Sequence, residues 1–220
     1  FTSSILLLSL LLFSCGGSTT EETTKTSSEI ETTDVKEMSR TIVFFGNSIT
    51  AGYMLDPAMA FPALIQTRLD SLELPYKCIN AGLSGETTAG GVERVNWILK
   101  GEVDVFVLEL GANDGLRGLP LNQTKDNLIK IIEKVRTANP NVKIVLAGME
   151  VPPNMGDKYI LDFRQVFIDV ANETSATLIP FLLANVAGDR SLNLDDGIHP
   201  NEEGHKLVME NVWRALEELL

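Results

Sequence analysis

Two histidines and two cysteines are all that 220 residues supply of the side chains that most often hold metals or form disulfides. There is no H-E-x-x-H and no paired Cys/His spacing, so no metal is implied. Cys15 sits in an apolar leader and Cys78 in a core-like run, so no disulfide is expected. Positive charge is also scarce. Against 30 Asp and Glu stand 18 Lys and Arg, a net charge of −12 without a basic stripe, which excludes a phosphate-tracking nucleic-acid surface. No G-x-G-x-x-G follows the first strand-like run, so no dinucleotide or other cofactor is implied. No G-x-S-x-G surrounds any serine, which disfavours a nucleophile elbow. No apolar run reaches the roughly 20 residues that span a bilayer.

The apolar residues at the start of the chain point to targeting rather than folding. Ile5 to Phe13 is interrupted only by Ser9. It suits the h-region of a secretory signal, and residues 1–14 are set apart from the fold on that ground. Leu12-Phe13-Ser14-Cys15-Gly16 is similar to a bacterial lipoprotein signal, with a small residue before the cysteine. The likeness implies a lipidated Cys15 and anchorage to a membrane of the bacterial cell envelope. Residues 15–39 are rich in Thr, Ser and Glu. They are expected to form a disordered tether, with a span of roughly 25–30 Å as a flexible coil. A single domain is expected over 40–220, and its apolar content is that of a globular chain.

From Thr41 onward the hydrophobic period alternates between short runs and helical stripes. Thr41–Gly46, Tyr76–Asn80, Val103–Leu110, Val142–Ala147 and a short Thr177–Pro180 read as strands, buried on both faces where the run is continuous. Between them lie the stripes of helices: Phe61, Leu64, Ile65, Leu69 and Leu72; Val92, Val95 and Leu99; Leu128, Ile131, Ile132 and Val135; Tyr159, Phe163, Phe167 and Val170. Leu207–Leu219 reads as the closing helix. The alternation predicts an α/β domain, a three-layer α/β/α sandwich on a mainly parallel sheet of about five strands. Cys78 reads as a buried structural thiol, and His205 as a surface or packing residue.

Ligands of such sheets bind beyond the carboxyl ends of the strands. The polar, glycine-marked segments fall there: Gly46-Asn47-Ser48 after the first strand, Asn80-Ala81-Gly82 after the second, Gly111-Ala112-Asn113-Asp114 after the third. Later comes Asp196-Gly197-Ile198-His199-Pro200. A carboxylate three residues before a histidine can hold one ring nitrogen and leave the other free as a base, although Asp195 is a rival partner. A base needs a nucleophile, and Ser48 at a strand end is the best candidate. Acyl transfer further needs donors for a developing oxyanion. The Ser48 N–H, the Gly82 N–H and the Asn113 side-chain amide are candidates. Met54, the Asp114–Leu119 loop and the Pro152–Met155 loop are expected to line an acyl pocket.

Taken together, Gly46-Asn47-Ser48-Ile49-Thr50, Gly82, Gly111-Ala112-Asn113-Asp114 and Asp196-x-x-His199 resemble the four blocks of the SGNH (GDSL) hydrolases. Leu108–Gly118, Pro152–Gly156 and Asp195–Pro200 look like the arylesterase and acyl-CoA thioesterase/lysophospholipase branch. The chain departs from the G-D-S-L wording at Asn47 and Ile49. The resemblance implies a flavodoxin-like fold and an esterase that cleaves a small acyl ester or thioester through an acyl-enzyme. It implies Ser48 as nucleophile, His199 as base, Asp196 as its orienting acid, and Ser48, Gly82 and Asn113 as the oxyanion hole. The same residues would serve a carbohydrate O-acetylesterase, and the same fold a non-catalytic ligand-binding surface lipoprotein.

Overall fold

The computed structural model describes residues 39–220. The expected signal peptide over 1–14, the lipidation site Cys15 and the tether up to residue 38 lie outside the described residues. Five strands form one parallel sheet in the order β2-β1-β3-β4-β5. They are β1 (Arg40–Gly46), β2 (Tyr76–Gly82), β3 (Val105–Glu109), β4 (Lys143–Ala147) and β5 (Thr177–Ile179). The central strands are buried almost from end to end, Ile42–Gly46 in β1 and all of β3. That burial is the physical meaning of their unbroken apolar runs. Edge strand β2 keeps several residues exposed.

Seven helices are described: α1 (Ser48–Ala51), α2 (Phe61–Ser71), α3 (Thr88–Ile98), α4 (Ala112–Leu116), α5 (Leu121–Ala138), α6 (Asp157–Thr174) and α7 (Glu202–Leu216). α3, α5 and α6 pack side by side, and α2 packs on α7. Alternate residues of β1 serve the two layers, as a period of two requires. Phe44 meets Phe61 of α2 edge-on at 5.5 Å. Phe45 faces the other way, toward Gly91 of α3, and stacks near Phe106 at 5.5 Å. The three-layer α/β/α architecture expected from the alternation is the one observed.

Boundaries moved where capping or register overrides hydrophobicity. β2 runs two residues beyond its apolar stretch because Gly82 pairs in register with Gly46. α7 begins at Glu202, well before Leu207, because the Asn201 side chain accepts the Gly204 N–H at 3.0 Å and caps it. α1 and α4 are too short to leave a periodic stripe. Cys78 is free and only partly buried, and burial pushes its thiol up to about 12. That places it far from the thiolate a nucleophile needs.

His205 is a packing residue, with 1% of its surface exposed. Its Nδ1 accepts the Phe61 N–H at 3.1 Å, joining α7 to the start of α2. Burial, helped by the charge of His199, depresses its pKa from 6.5 to about 4. The unfolded chain therefore binds this proton more readily than the folded one between those values. Stability is lost as the pH falls from about 6.5 toward about 4. Denaturant midpoints of the wild type should drop more steeply across that window than those of His205→Gln, and parallel curves would exclude the effect.

Candidate active site

The strand order reverses direction at β1. The chain leaves β1 for β2 on one side and later returns to β3 on the other. The crevice between the carboxyl ends of β1 and β3 is the place where such sheets bind ligands. Ser48 follows β1 and Asn113 follows β3, so the two stand on either side of it. Asn47 caps α1 by accepting the Ile49 N–H at 3.0 Å. This leaves Ser48 as the first helical residue, with its side chain at the rim.

The Ser48 hydroxyl lies 2.9 Å from His199 Nε2, and His199 Nδ1 lies 2.7 Å from Asp196 Oδ2. Oδ1 of Asp196 accepts the N–H groups of Ile198 at 2.9 Å and His199 at 3.0 Å. The carboxylate is thus clamped by the turn it belongs to. Burial raises its pKa, but the Ile198 and His199 hydrogen bonds and the imidazole itself outweigh that and hold it below the usual carboxylate range. The carboxylate on the ring is that of Asp196, not the neighbouring Asp195. Behind the imidazole stands Tyr53, with ring centroids 4.5 Å apart. A proton leaving Ser48 therefore has an acceptor whose ring is fixed from two sides.

Two free N–H donors face the cavity at this rim. The Ser48 N–H, first in α1, has no acceptor among the described residues. The Asn113 amide gives one hydrogen to the Glu86 carbonyl at 3.0 Å, which fixes its plane and leaves the other free. Gly82 requires a correction. Its N–H donates to Asn80 Oδ1 at 3.0 Å, and Asn80 Nδ2 in turn donates to the Thr50 carbonyl at 2.8 Å. Gly82 is needed for closeness instead, since a Cβ there would overlap the Ala51 backbone. Three residues on, the Gly85 N–H has no acceptor among the described residues. It lies on the loop whose Glu86 carbonyl takes the Asn113 amide. That loop is tied down by Arg94 of α3. Arg94 pairs with the Glu86 carboxylate at 2.5 and 2.7 Å, donates to the Ala81 carbonyl at 2.9 Å and covers the Phe45 ring at 4.1 Å.

A cavity of about 510 Å³ opens from Ser48 and His199. Its walls are mainly apolar: Leu116, Met149, Val151, Pro152, Phe181 and Leu183. Of the two loops expected there, Leu116 from the first and Pro152 and Pro153 from the second reach the cavity. Met54 does not; it projects into solvent, 79% exposed. Asp114 is buried beneath the site, where it accepts the Thr88 N–H at 2.9 Å and the Thr88 hydroxyl at 2.5 Å, and so ties α4 to α3. No cluster of His, Cys, Asp or Glu that could hold a metal ion occurs among the described residues.

A doubly wound parallel sheet that brings a serine, a histidine and an acid into one hydrogen-bonded chain at its carboxyl rim has the parts of a serine hydrolase. A model of the GDSL-like lipase/acylhydrolase family matches residues 44–207, and the chain belongs to that family. It is 38% identical over 183 residues to the esterase TesA of Pseudomonas aeruginosa, which covers 83% of this chain and 90% of that protein. An arylesterase of Vibrio mimicus is 32% identical over 213 residues, 96% of this chain and 98% of its own length. The thioesterase 1/protease 1/lysophospholipase L1 of Escherichia coli K12 is 33% identical, over 82% and 85%. A crystal structure of TesA, at 38% identity, matches with a TM-score of 0.79 over 82% of this chain and 100% of that one.

Tyr53, Gly85, Glu86 and Arg94 carried no signal specific enough to be found in the sequence. A loop glycine next to other loop glycines, or an arginine on a helix, is common, and only the fold shows which atoms it meets. Arg94 is expected to act through the loop it holds. Arg94→Met, which keeps the apolar stem over Phe45, should lower kcat by roughly 10- to 100-fold through misplaced donors. Steady-state kinetics beside an unchanged circular-dichroism spectrum would show it, and wild-type kcat would refute it.

Proposed function

We propose that this enzyme hydrolyses small carboxylic esters and thioesters through a Ser48 acyl-enzyme. The observation that carries the reading is the unbroken chain from Asp196 through His199 to the Ser48 hydroxyl, at 2.7 and 2.9 Å. Ser48 Oγ attacks the carbonyl carbon as its proton passes to His199 Nε2, and Asp196 stabilises the imidazolium that forms. The carbonyl oxygen gains charge and accepts hydrogen bonds from the Ser48 N–H, the free hydrogen of Asn113 and the Gly85 N–H. The intermediate collapses, the C–O or C–S bond breaks, and the leaving alcohol or thiol takes the proton from His199. Water then attacks the acyl-enzyme and gives a proton to His199, the bond between Ser48 Oγ and the acyl carbon breaks, His199 returns the proton to Ser48 Oγ, and the acid is released.

The apolar cavity beside Ser48 supports a short or medium acyl chain there and favours this reading over an acetylated sugar. The names of the relatives, esterase, arylesterase and thioesterase, support the same reaction class. The lipoprotein-like Leu12–Cys15 segment supports an envelope enzyme anchored through Cys15. Loss of radiolabelled fatty-acid incorporation in Cys15→Ser expressed in a bacterial host is the outcome that reading requires.

Ser48→Ala should lower p-nitrophenyl acetate turnover by on the order of 10⁶-fold and abolish labelling by a fluorophosphonate probe. A folded Ser48→Ala that still hydrolyses the ester at near wild-type rate would end the proposal. Asn113→Ala should cost on the order of 10²–10³ in kcat, with KM for the same ester changing far less.

A further inference from the structure

Glu109 ends β3 with its carboxylate inside the protein, 1% exposed, beneath the turn that carries Ser48. Its Oε1 accepts from Asn47 Nδ2 at 2.6 Å. Its Oε2 accepts the Asn47 N–H at 3.0 Å, the Thr50 N–H at 3.3 Å and the Thr50 hydroxyl at 2.9 Å. Gly46 leaves the room for this, since a Cβ there would run into both Oε2 and the Thr50 hydroxyl. Four donors face the carboxylate. The Thr50 hydroxyl on Oε2 can accept as well as donate, so the same contacts hold either protonation state of the acid while Oε1 keeps the Asn47 amide. Burial pushes its pKa up to about 7 against the pull of those four bonds, and no charged side chain contributes to the shift. The groups that face it, from Gly46 on β1 to Asn47 and Thr50 in the turn, are neutral.

The geometry then propagates along the turn. With Nδ2 of Asn47 fixed on Glu109, Oδ1 must point the other way. It accepts the Ile49 N–H at 3.0 Å and lies 3.4 Å from the Ser48 hydroxyl. The second and third N–H groups of α1, those of Ile49 and Thr50, are therefore both occupied, one by Asn47 and one by Glu109. The first, on Ser48, stays open. α1 has only four residues, too few to keep its shape by its own hydrogen bonds.

We propose that Glu109 is the positioning residue of this site. By fixing the amide of Asn47 it distributes the donors of the Ser48 turn and reserves the Ser48 N–H for the substrate oxygen. The proposal rests on Ser48 being the nucleophile.

In this chain the pair is one amide and one carboxylate, and its part in the site can be tested by exchanging them. Glu109→Gln alone puts a second amide against Asn47. Two N–H groups then face each other unless Asn47 turns over, and turning over aims its Nδ2 at the Ile49 N–H. Combining Glu109→Gln with Asn47→Asp restores one donor and one acceptor, with their places reversed. The introduced carboxylate still accepts from Ile49, and the introduced amide oxygen still takes the three donors at Oε2.

Wild type, Glu109→Gln and the double variant should be compared for kcat and KM on p-nitrophenyl acetate and for unfolding midpoint. Glu109→Gln is expected to lose on the order of 10²-fold in kcat, as misplacement of reacting groups by about 1 Å does, with KM nearly unmoved. The double variant is expected to regain all but roughly tenfold of the wild-type kcat, a coupling that independent sites would not show. Wild-type kcat in Glu109→Gln, or a double variant no better than the single, would overturn the proposal. If Glu109→Gln does not fold, the double variant decides: kcat within roughly tenfold of wild type supports the proposal, and a folded double variant that loses on the order of 10²-fold or more overturns it. Activity in Ser48→Ala would remove the nucleophile assignment itself, an outcome separate from all of these.

Discussion

Parallel pairing of β1 with β3, which sets Gly46 opposite Glu109, is the constraint from which the site is built. It puts the two turns that carry Ser48 and Asn113 side by side at one end of the sheet. It also drives a carboxylate between them. A buried charge is costly unless it is surrounded by hydrogen bonds, and here the only groups near enough to supply them belong to the Ser48 turn. The turn is shaped by satisfying the acid, and the acid is tolerated because the turn supplies donors. On the opposite side of the crevice Arg94 plays the corresponding part, with its guanidinium held by Glu86, the Ala81 carbonyl and the face of Phe45. A buried carboxylate and a half-buried guanidinium thus fix the two walls against which a carbonyl oxygen would lie.

The architecture was legible because it depends on burial, and burial leaves a pattern. Strands covered on both faces leave unbroken runs such as Ile42–Phe45, and helices covered on one face leave stripes such as Leu128 to Val135. The meeting of Ser48, His199 and Asp196 was legible for a different reason. Their roles need particular residue types at particular places: a hydroxyl where a strand ends, and an acid within one turn of a histidine. Glu109 was not legible, because one acid at the end of an apolar run reads as the end of the strand. Its meaning depends on Asn47 and Thr50, some sixty residues earlier. Gly82 misled because any glycine in a polar loop can bring an N–H close to a ligand. Only the structure shows that this N–H is turned to Asn80, while that of Gly85 is open. Met54 misled in the same way, since an apolar side chain near Ser48 in sequence need not face the cavity.

Glu109 and His205 are both buried ionisable groups, and burial moves both toward the neutral form, one upward and one downward. Their consequences for folding oppose each other over the same range of acidity. Loss of the Glu109 proton in the folded protein, with its pKa raised from 4.5 to about 7, weakens the fold as the pH rises. Gain of the His205 proton weakens it as the pH falls. Stability is shaped by the difference between the two, and only one of them lies next to the reacting atoms.

The serine and its imidazole are separated by 151 positions along the chain, and the last strand of the sheet, ending at Ile179, is complete before His199 is reached. A growing polypeptide can therefore lay down all five strands while its hydroxyl still has no base beside it. A chain that stops short of residue 199 lacks the base, and it also lacks α7, whose Val208, Val212 and Leu216 complete the core, so reactivity and the last packed layer arrive together.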